Sequence, residues 1–289
     1  MTTAERTRRI VEVRSAGRTL AVVYDESLVA AWPQVAPHIP GARDTPPQEG
    51  GHSVAAGVVV PDDVADARRL INAHLHVVHV GAGTVPVHAV TMYRPETGAV
   101  LLLGGHGAGK TLVGVALASR GWQWLAGDVT LVDVPAEGGP AVRGGTTAVL
   151  GRRAPLRRWF PELDLPDTGP DVVDLHQQRV LRLAPVRVPV VTAVLVDVDG
   201  DPATHGVLER LDRHTAATAW LVASGHLLER ILNEGEQPLR LLEDETTLRR
   251  RIRYVHTLAG SVGVHTGRGA PQEIAACVEQ LTDNKQVRI

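Results

Sequence analysis

Apolar and polar positions along the chain repeat with two periods, near two residues for strands and near 3.6 for helices. Residues 10–13 and 19–24 are short apolar runs on either side of Ser15-Ala16-Gly17, a hairpin pattern. A short helix is expected at 26–35. Residues 39–52 are rich in proline and glycine without periodicity and suit a loop. An apolar run at 54–60 precedes Pro61-Asp62-Asp63, whose proline and acids open a helix expected to end near Ala73. Residues 85–93 and 99–103 suit strands joined by a turn at 95–98. A helical stripe follows, carrying Leu112, Val115, Ala116 and Leu117 on one face and ending at Arg120-Gly121. Further strands are expected at 122–126, 129–134, 141–150 and 188–198, with an irregular stretch at 151–180. Helices are expected at 215–233, 244–258 and 271–283.

The junction between the strand at 99–103 and its helix carries the chemistry. Residues Gly104, Gly105, His106, Gly107, Ala108, Gly109, Lys110 and Thr111 match the P-loop pattern G-x-x-x-x-G-K-[ST] at every fixed position, and Leu112 continues into the helix. Glycines let successive N–H groups turn inward onto phosphate oxygens. The positive end of the helix adds to that attraction. Lys110 is expected to reach the β- and γ-phosphates, and the Thr111 hydroxyl to hold Mg²⁺. ATP or GTP is the expected ligand.

Composition narrows the remaining choices. Charged residues make up 21 % of the 289 and the formal net charge is −2, which is no polyanion-binding signature, so nucleic acid is not an expected partner. Cys277 is the single cysteine; it leaves no disulfide framework or cysteine zinc site and fits a reducing, cytoplasmic setting. The first nine residues are polar with no long apolar stretch after them, so no signal peptide is expected. No run approaches the length of a membrane span. A homo-oligomer stays open.

Phosphoryl transfer to a hydroxyl calls for a carboxylate that orients the nucleophile and receives its proton. Asp128, at the end of the strand 122–126, is the candidate, for the catalysis or for the metal; a Gly-Asp turn is the other reading. Asp133 suits a structural role. If the strands 85–93 and 99–103 form a hairpin, Tyr93 falls opposite Val100 and His88 opposite Gly105. His88 then stands beside the phosphate loop, although a strand histidine with one hydrogen bond fits the same pattern. Arg143, before Gly144-Gly145, either faces a transferring phosphate or belongs to a turn. The basic cluster at 248–253 suits a solvated helix face. His74 and His76 would share a face only on a strand, and no metal-ligand spacing accompanies them.

Taken in order, His88-Ala89, the loop at 104–111, Arg120-Gly121-Trp122 and Leu125-Ala126-Gly127-Asp128 resemble the HPr kinase/phosphorylase family over residues 80–135. The likeness is strongest to the short HPr kinase-like proteins associated with peptide natural products. It implies an α/β fold: a P-loop core with a mixed sheet, of the kind shared with phosphoenolpyruvate carboxykinase. A small N-terminal α+β module at 1–78 would precede that core, at 79–289, with helices in its C-terminal part. It also implies Asp128 as catalytic base, with His88 supporting the phosphate site and Lys110 acting on the transferred group. Two departures stand out: the family often has two adjacent acids where this chain has Gly127-Asp128, and its downstream glutamate has no clear match. The segment through which the family contacts HPr is also missing, so HPr is not carried over as substrate.

The function expected from the sequence is an ATP- and Mg²⁺-dependent kinase. It would act on a hydroxyl of a peptide serine or of a small biosynthetic intermediate. The alternative is a nucleotide-binding regulatory protein whose catalysis has decayed, for which Gly127 is the main support. A third reading, a carboxykinase-like enzyme, would need a metal-ligating Lys/His/Asp set that is not found in the sequence.

Overall fold

The computed structural model describes residues 9–24, 26–42, 57–175, 187–201, 204–233 and 237–286. An eight-stranded mixed sheet forms its centre. Gly98–Leu103 lies in the middle, antiparallel to Thr84–Arg94 on one side and parallel to Val188–Val198 on the other. One flank continues through Gly263–Gly269, parallel, to Val207–Arg210, antiparallel. The other continues through Val129–Asp133 to Ala141–Gly145. Ala141–Gly145 also meets the start of Val188–Val198, with Val142 opposite Val188, so that flank curls back on the centre.

Ala99, Val100, Leu101, Leu102 and Leu103 are all fully buried, the consequence of a strand covered on both faces. Leu101 and Leu103 point to one face, among Val85, Val87, Trp220, Val255 and Leu258, under the helices Arg213–Gly225 and Glu245–Ser261. Val100 and Leu102 point to the other, among Met92, Val113, Leu117, Ile274 and Val278, under Lys110–Ser119 and Pro271–Gln286. Burying each leucine contributes about 1.5–3 kcal/mol.

The N-terminal residues build a second, three-stranded sheet from the hairpin Arg9–Ser15 and Arg18–Tyr24 with Val58–Val59 alongside. The helix Val64–Gly81 packs on it, capped by Asp63, whose carboxylate accepts from the Asp66 amide at 2.8 Å. The core beneath this helix also takes Leu228, Leu232 and Leu239 from far along the chain. Backbone bonds fasten the segment 36–42 to the main sheet's rim, from Ala148 N to Pro37 O (2.9 Å) and from Gly41 N to Gly145 O (2.9 Å).

Several local expectations change in the folded chain. The helix expected at 26–35 is two short ones, Glu26–Ala30 and Trp32–Val35. The helix expected to end near Ala73 runs on to Gly81, because its apolar face continues under the N-terminal sheet. His74 and His76 therefore sit on a helix and do not share a face. The helix expected at 215–233 ends at Gly225 and gives way to a single 3-10 turn, His226–Leu228. The stretch at 151–180 contains the helix Arg153–Trp159 and a strand pair, Leu150–Arg152 with Val172–Asp174. Residues 43–56 and 176–180, parts of the expected loop, apolar run and irregular stretch, lie outside the described residues. Val207–Arg210 and Gly263–Gly269 are strands that the pattern did not announce. Among the described residues no helix is long and apolar enough to cross a membrane.

The basic cluster at 248–253 is not uniformly solvated. Arg251 is buried, and its guanidinium forks onto Glu243 at 2.6 and 2.7 Å; the side chains are 3 % and 2 % exposed. Burial alone would raise the Glu243 carboxyl, but the His76 ring and Arg251 beside it bring it down to about 2. Removing one partner of a buried pair leaves the other uncompensated. Glu243→Gln is therefore expected to lower unfolding stability by about 3–5 kcal/mol, read by urea titration. Because the folded carboxyl is depressed, the pair's stabilisation is present above the ordinary glutamate value and lost as pH falls toward 2. The variant should show a flatter acid limb than the wild type over that window.

Candidate functional site

Leu103 delivers the chain into the loop at 104–109, and the helix Lys110–Ser119 leaves it. Gly109, the residue before that helix, has φ +92°, and a Cβ there would lie 2.2 Å from Val198. Conformation and space both require glycine at this position. The Val198 amide donates to Ala108 O at 3.0 Å, tying the loop to the parallel strand beside it. Lys110 Nζ donates to the carbonyls of Gly104 (2.9 Å) and Gly105 (3.0 Å), which lays the side chain along the loop. Burial lowers its ammonium to about 8, against the opposing pull of Asp128. Thr111 Oγ1 donates to Leu150 O at 2.8 Å, and its oxygen keeps lone pairs for a further partner.

Asp128 reaches the loop by a break in strand pairing. Gln123–Ala126 pairs with residues 91–93 of the long strand Thr84–Arg94, and Val129–Asp133 pairs with residues 84–88 of the same strand. Gly127 and Asp128 fall between the two pairings, which keep one register across them; the ladder's register shift lies earlier, at Leu125. Asp128 follows the strand Gln123–Ala126 and precedes Val129–Asp133, close to the strands expected at 122–126 and 129–134. The Asp128 carbonyl accepts from Ala89 N at 2.9 Å, and its amide donates to Thr146 Oγ1 at 2.9 Å. His88 Nε2 lies 3.2 Å from Asp128 Oδ1, with the imidazole buried and the carboxylate 45 % exposed into a cavity. Burial would raise the Asp128 carboxyl, but the His88 hydrogen bond and charge, then His226 and Lys110, hold it well below the usual carboxylate range.

The hairpin that carries His88 is in place, but its register differs from expectation by one residue. Tyr93 faces Ala99, and Ala89 faces Leu103, which sets His88 level with Gly104. Gly98 already pairs with Arg94, so the turn holds only Pro95, Glu96 and Thr97, a three-residue hairpin loop.

The cavity holds about 390 Å³ and brings together His88, His106, Gly107, Ala108, Gly109, Lys110, Thr111, Leu112 and Asp128. Gly104 and Gly105 line a neighbouring one that shares His88 and His106. The fold adds residues that the sequence did not single out. His226, from the turn after Arg213–Gly225, stacks on His88 with ring centroids 3.7 Å apart and planes 12° apart. Burial, then the charge of His88, lowers it to about 3, so it is neutral at any working pH. Arg68, Arg69 and Asn72 enter from Val64–Gly81, His38 from the N-terminal segment and Arg230 from beyond His226. No local signal marks these residues, since helix packing alone brings them to the loop. Arg143 takes no part. It donates to Asp133 at 2.7 and 3.0 Å, and Thr84 also donates to Asp133, so both residues are structural.

The donor set fits a divalent cation. Thr111 and Asp128 offer the hard oxygens that Mg²⁺ takes, at the mouth of the P-loop helix. The ligating atoms of His88, Asp128 and His226 also lie within 4.8 Å of one another, a nitrogen-rich set better suited to a transition metal. Gly127, by contrast, has no room for an acid. A Cβ there would stand 2.0 Å from Ala148 O, a backbone atom that cannot move aside.

No family model matches the chain, and no curated protein matches it. Among solved structures it is similar to the Hpr(Ser) kinase/phosphatase from Coxiella burnetii, at 12 % sequence identity and a TM-score of 0.30. That likeness covers 70 % of this chain and 97 % of that one. A score this low carries no functional inference, so function has to rest on the geometry of the site.

Two outcomes follow from that geometry. Gly127→Asp should destabilise the fold by roughly 1–3 kcal/mol or more through overpacking, measured by thermal unfolding, and bring no gain in activity. Nucleotide affinity, measured by titration calorimetry, should fall as pH rises through about 8, where Lys110 loses its proton. Lys110→Arg, which keeps its charge, should flatten that profile.

Proposed function

We propose that this chain is an ATP-dependent phosphotransferase that moves the γ-phosphate to an alcohol, either a serine of a peptide or a hydroxyl of a small biosynthetic intermediate. One observation carries the proposal: a carboxylate held anionic by a histidine 3.2 Å away opens into the same cavity as a complete P-loop.

Each residue then has a task. The loop's N–H groups and the start of the helix Lys110–Ser119 take the phosphates. Lys110 leaves its two loop carbonyls for the β- and γ-oxygens. Thr111 and Asp128 would hold Mg²⁺, which neutralises charge on the transferring group when bound. Asp128 accepts the hydrogen bond of the acceptor hydroxyl and aims it. A carboxylate depressed this far is a weak base, so it takes the proton late, once the new O–P bond makes the hydroxyl acidic. His88 fixes the carboxylate, and neutral His226 packs against the ring and limits its rotation.

The regulatory reading drew its support from Gly127, which looked like a lost catalytic acid. Ala148 O, 2.0 Å from where a Cβ would stand, gives that glycine a packing reason, which weakens this support. Asp128→Asn keeps shape and removes the charge. It is expected to cut transfer by about 10²-fold or more while ATP still binds, read as ADP release against a panel of hydroxyl acceptors. Wild-type turnover in that variant would remove Asp128 from the mechanism. Tight ATP binding by the wild type with no transfer to any hydroxyl would favour the regulatory reading.

A further inference from the structure

The cavity's lining mixes apolar and cationic side chains: Leu112, Leu150, Pro155 and Val172, with Arg152 among them. Arg68 and Arg230 line it together with Asp128, Arg230 also bordering the loop residues Gly104, Gly105 and His106, and among the described residues neither forms an ion pair with a carboxylate. Arg69, the next residue on the helix, is paired, with Asp66 at 2.5 Å. Arg230 has only a 3.5 Å contact with His226 Nε2. The wall that carries Arg68 is fixed, since Asn72 Nδ2, one turn along the helix, donates to His38 O at 3.0 Å. Burial depresses Arg68, the charges of Arg69 and Arg230 depress it further, and Asp128 acts in the opposite sense. These charges therefore act on one another and on Asp128 within the cavity.

An acceptor whose hydroxyl reaches Asp128 enters a cavity that these two guanidiniums line. A neutral acceptor would strip water from two cations and give them no partner, which is costly. A carboxylate or phosphate gives each of them the planar, charge-assisted contact that arginine is built to make. The nucleotide's phosphates already have the loop amides and Lys110. Resting on the kinase reading above, we propose that the acceptor is itself an anion, whose carboxylate or phosphate group is bound by Arg68 and Arg230 while its hydroxyl lies on Asp128.

Titration calorimetry on the full chain tests this with inorganic phosphate and malonate as separate probes. The P-loop is first saturated with a nonhydrolysable ATP analogue and Mg²⁺, so that neither probe can occupy it. The wild type is expected to bind at least one of the two anions, and the tighter one identifies the acceptor's group. The double variant Arg68→Gln/Arg230→Gln should weaken that binding by on the order of 10-fold or more, the scale of losing charge-assisted hydrogen bonds. Its affinity for the ATP analogue should stay within about twofold of wild type, which also shows that it is folded. Arg68→Lys/Arg230→Lys, which keeps charge without the fork, should fall between the two. Three results would overturn the proposal: no anion binding by the nucleotide-saturated wild type, undiminished binding by the glutamine variant, or an equal loss of analogue affinity, which would assign the arginines to the triphosphate. Failure of the wild type to bind the analogue at all is a separate result, and it removes the kinase reading on which the proposal rests.

Discussion

The strand Thr84–Arg94 pairs along one edge with Gly98–Leu103 and along the other with two strands in succession, Gln123–Ala126 and Val129–Asp133. From Ala126 onward both keep one register, Thr91 facing Ala126 and His88 facing Val129; the register shift lies earlier, at Leu125. Gly127-Asp128 links the two strands and is tied to the long strand by Ala89 N, which donates to Asp128 O. That link sets the Asp128 carboxylate beside His88. The other edge of the strand leads through its hairpin directly into the P-loop. One strand therefore sets the distance between P-loop and carboxylate, and Gly127 marks how tightly the link between its two partners is packed.

Charge is divided between structure and site. Arg143 with Asp133 and Arg251 with Glu243 are matched pairs whose partners sit at hydrogen-bond distance, and they fasten the sheet's flank and the helix Glu245–Ser261. In the cavity the ratio is different. Asp128 is the anion among Lys110, Arg68 and Arg230, with His88 at its side. An excess of cations around a half-exposed carboxylate is costly for folding and useful for binding an anionic ligand. Burial lowers Lys110 to about 8, and its ammonium is satisfied by the carbonyls of Gly104 and Gly105.

The N-terminal sheet is more than an appendage to this site. Its helix Val64–Gly81 supplies one wall of the cavity, and the turn bearing His226 is anchored by Leu228 in the core under that same helix. The cavity's lining thus comes from different parts of the chain: the P-loop and Asp128 from a continuous stretch around residues 84–128, and further wall residues from the helix Val64–Gly81 and the segment after residue 225.

That division also separates what the sequence alone determined from what the tertiary structure decided. Strand, loop and helix at 99–119 were legible because each depends on neighbours within a few residues: an apolar run, glycines in a fixed pattern, then a 3.6 period. The hairpin placing His88 was legible for the same reason, to within the one residue by which its turn is shorter than expected. Asp128 could be singled out from its place after an apolar strand, but its setting beside His88 needed the pairing with the long strand. Gly263–Gly269 escaped notice because three glycines in seven positions carry little alternation; it is a strand because the parallel neighbour Val188–Val198 needs a partner for its backbone groups. His226, Arg68 and Arg230 lie far from the loop in sequence. Helix packing over the sheet brings them to it, and side-chain contacts between elements distant in sequence leave no periodic trace in the chain.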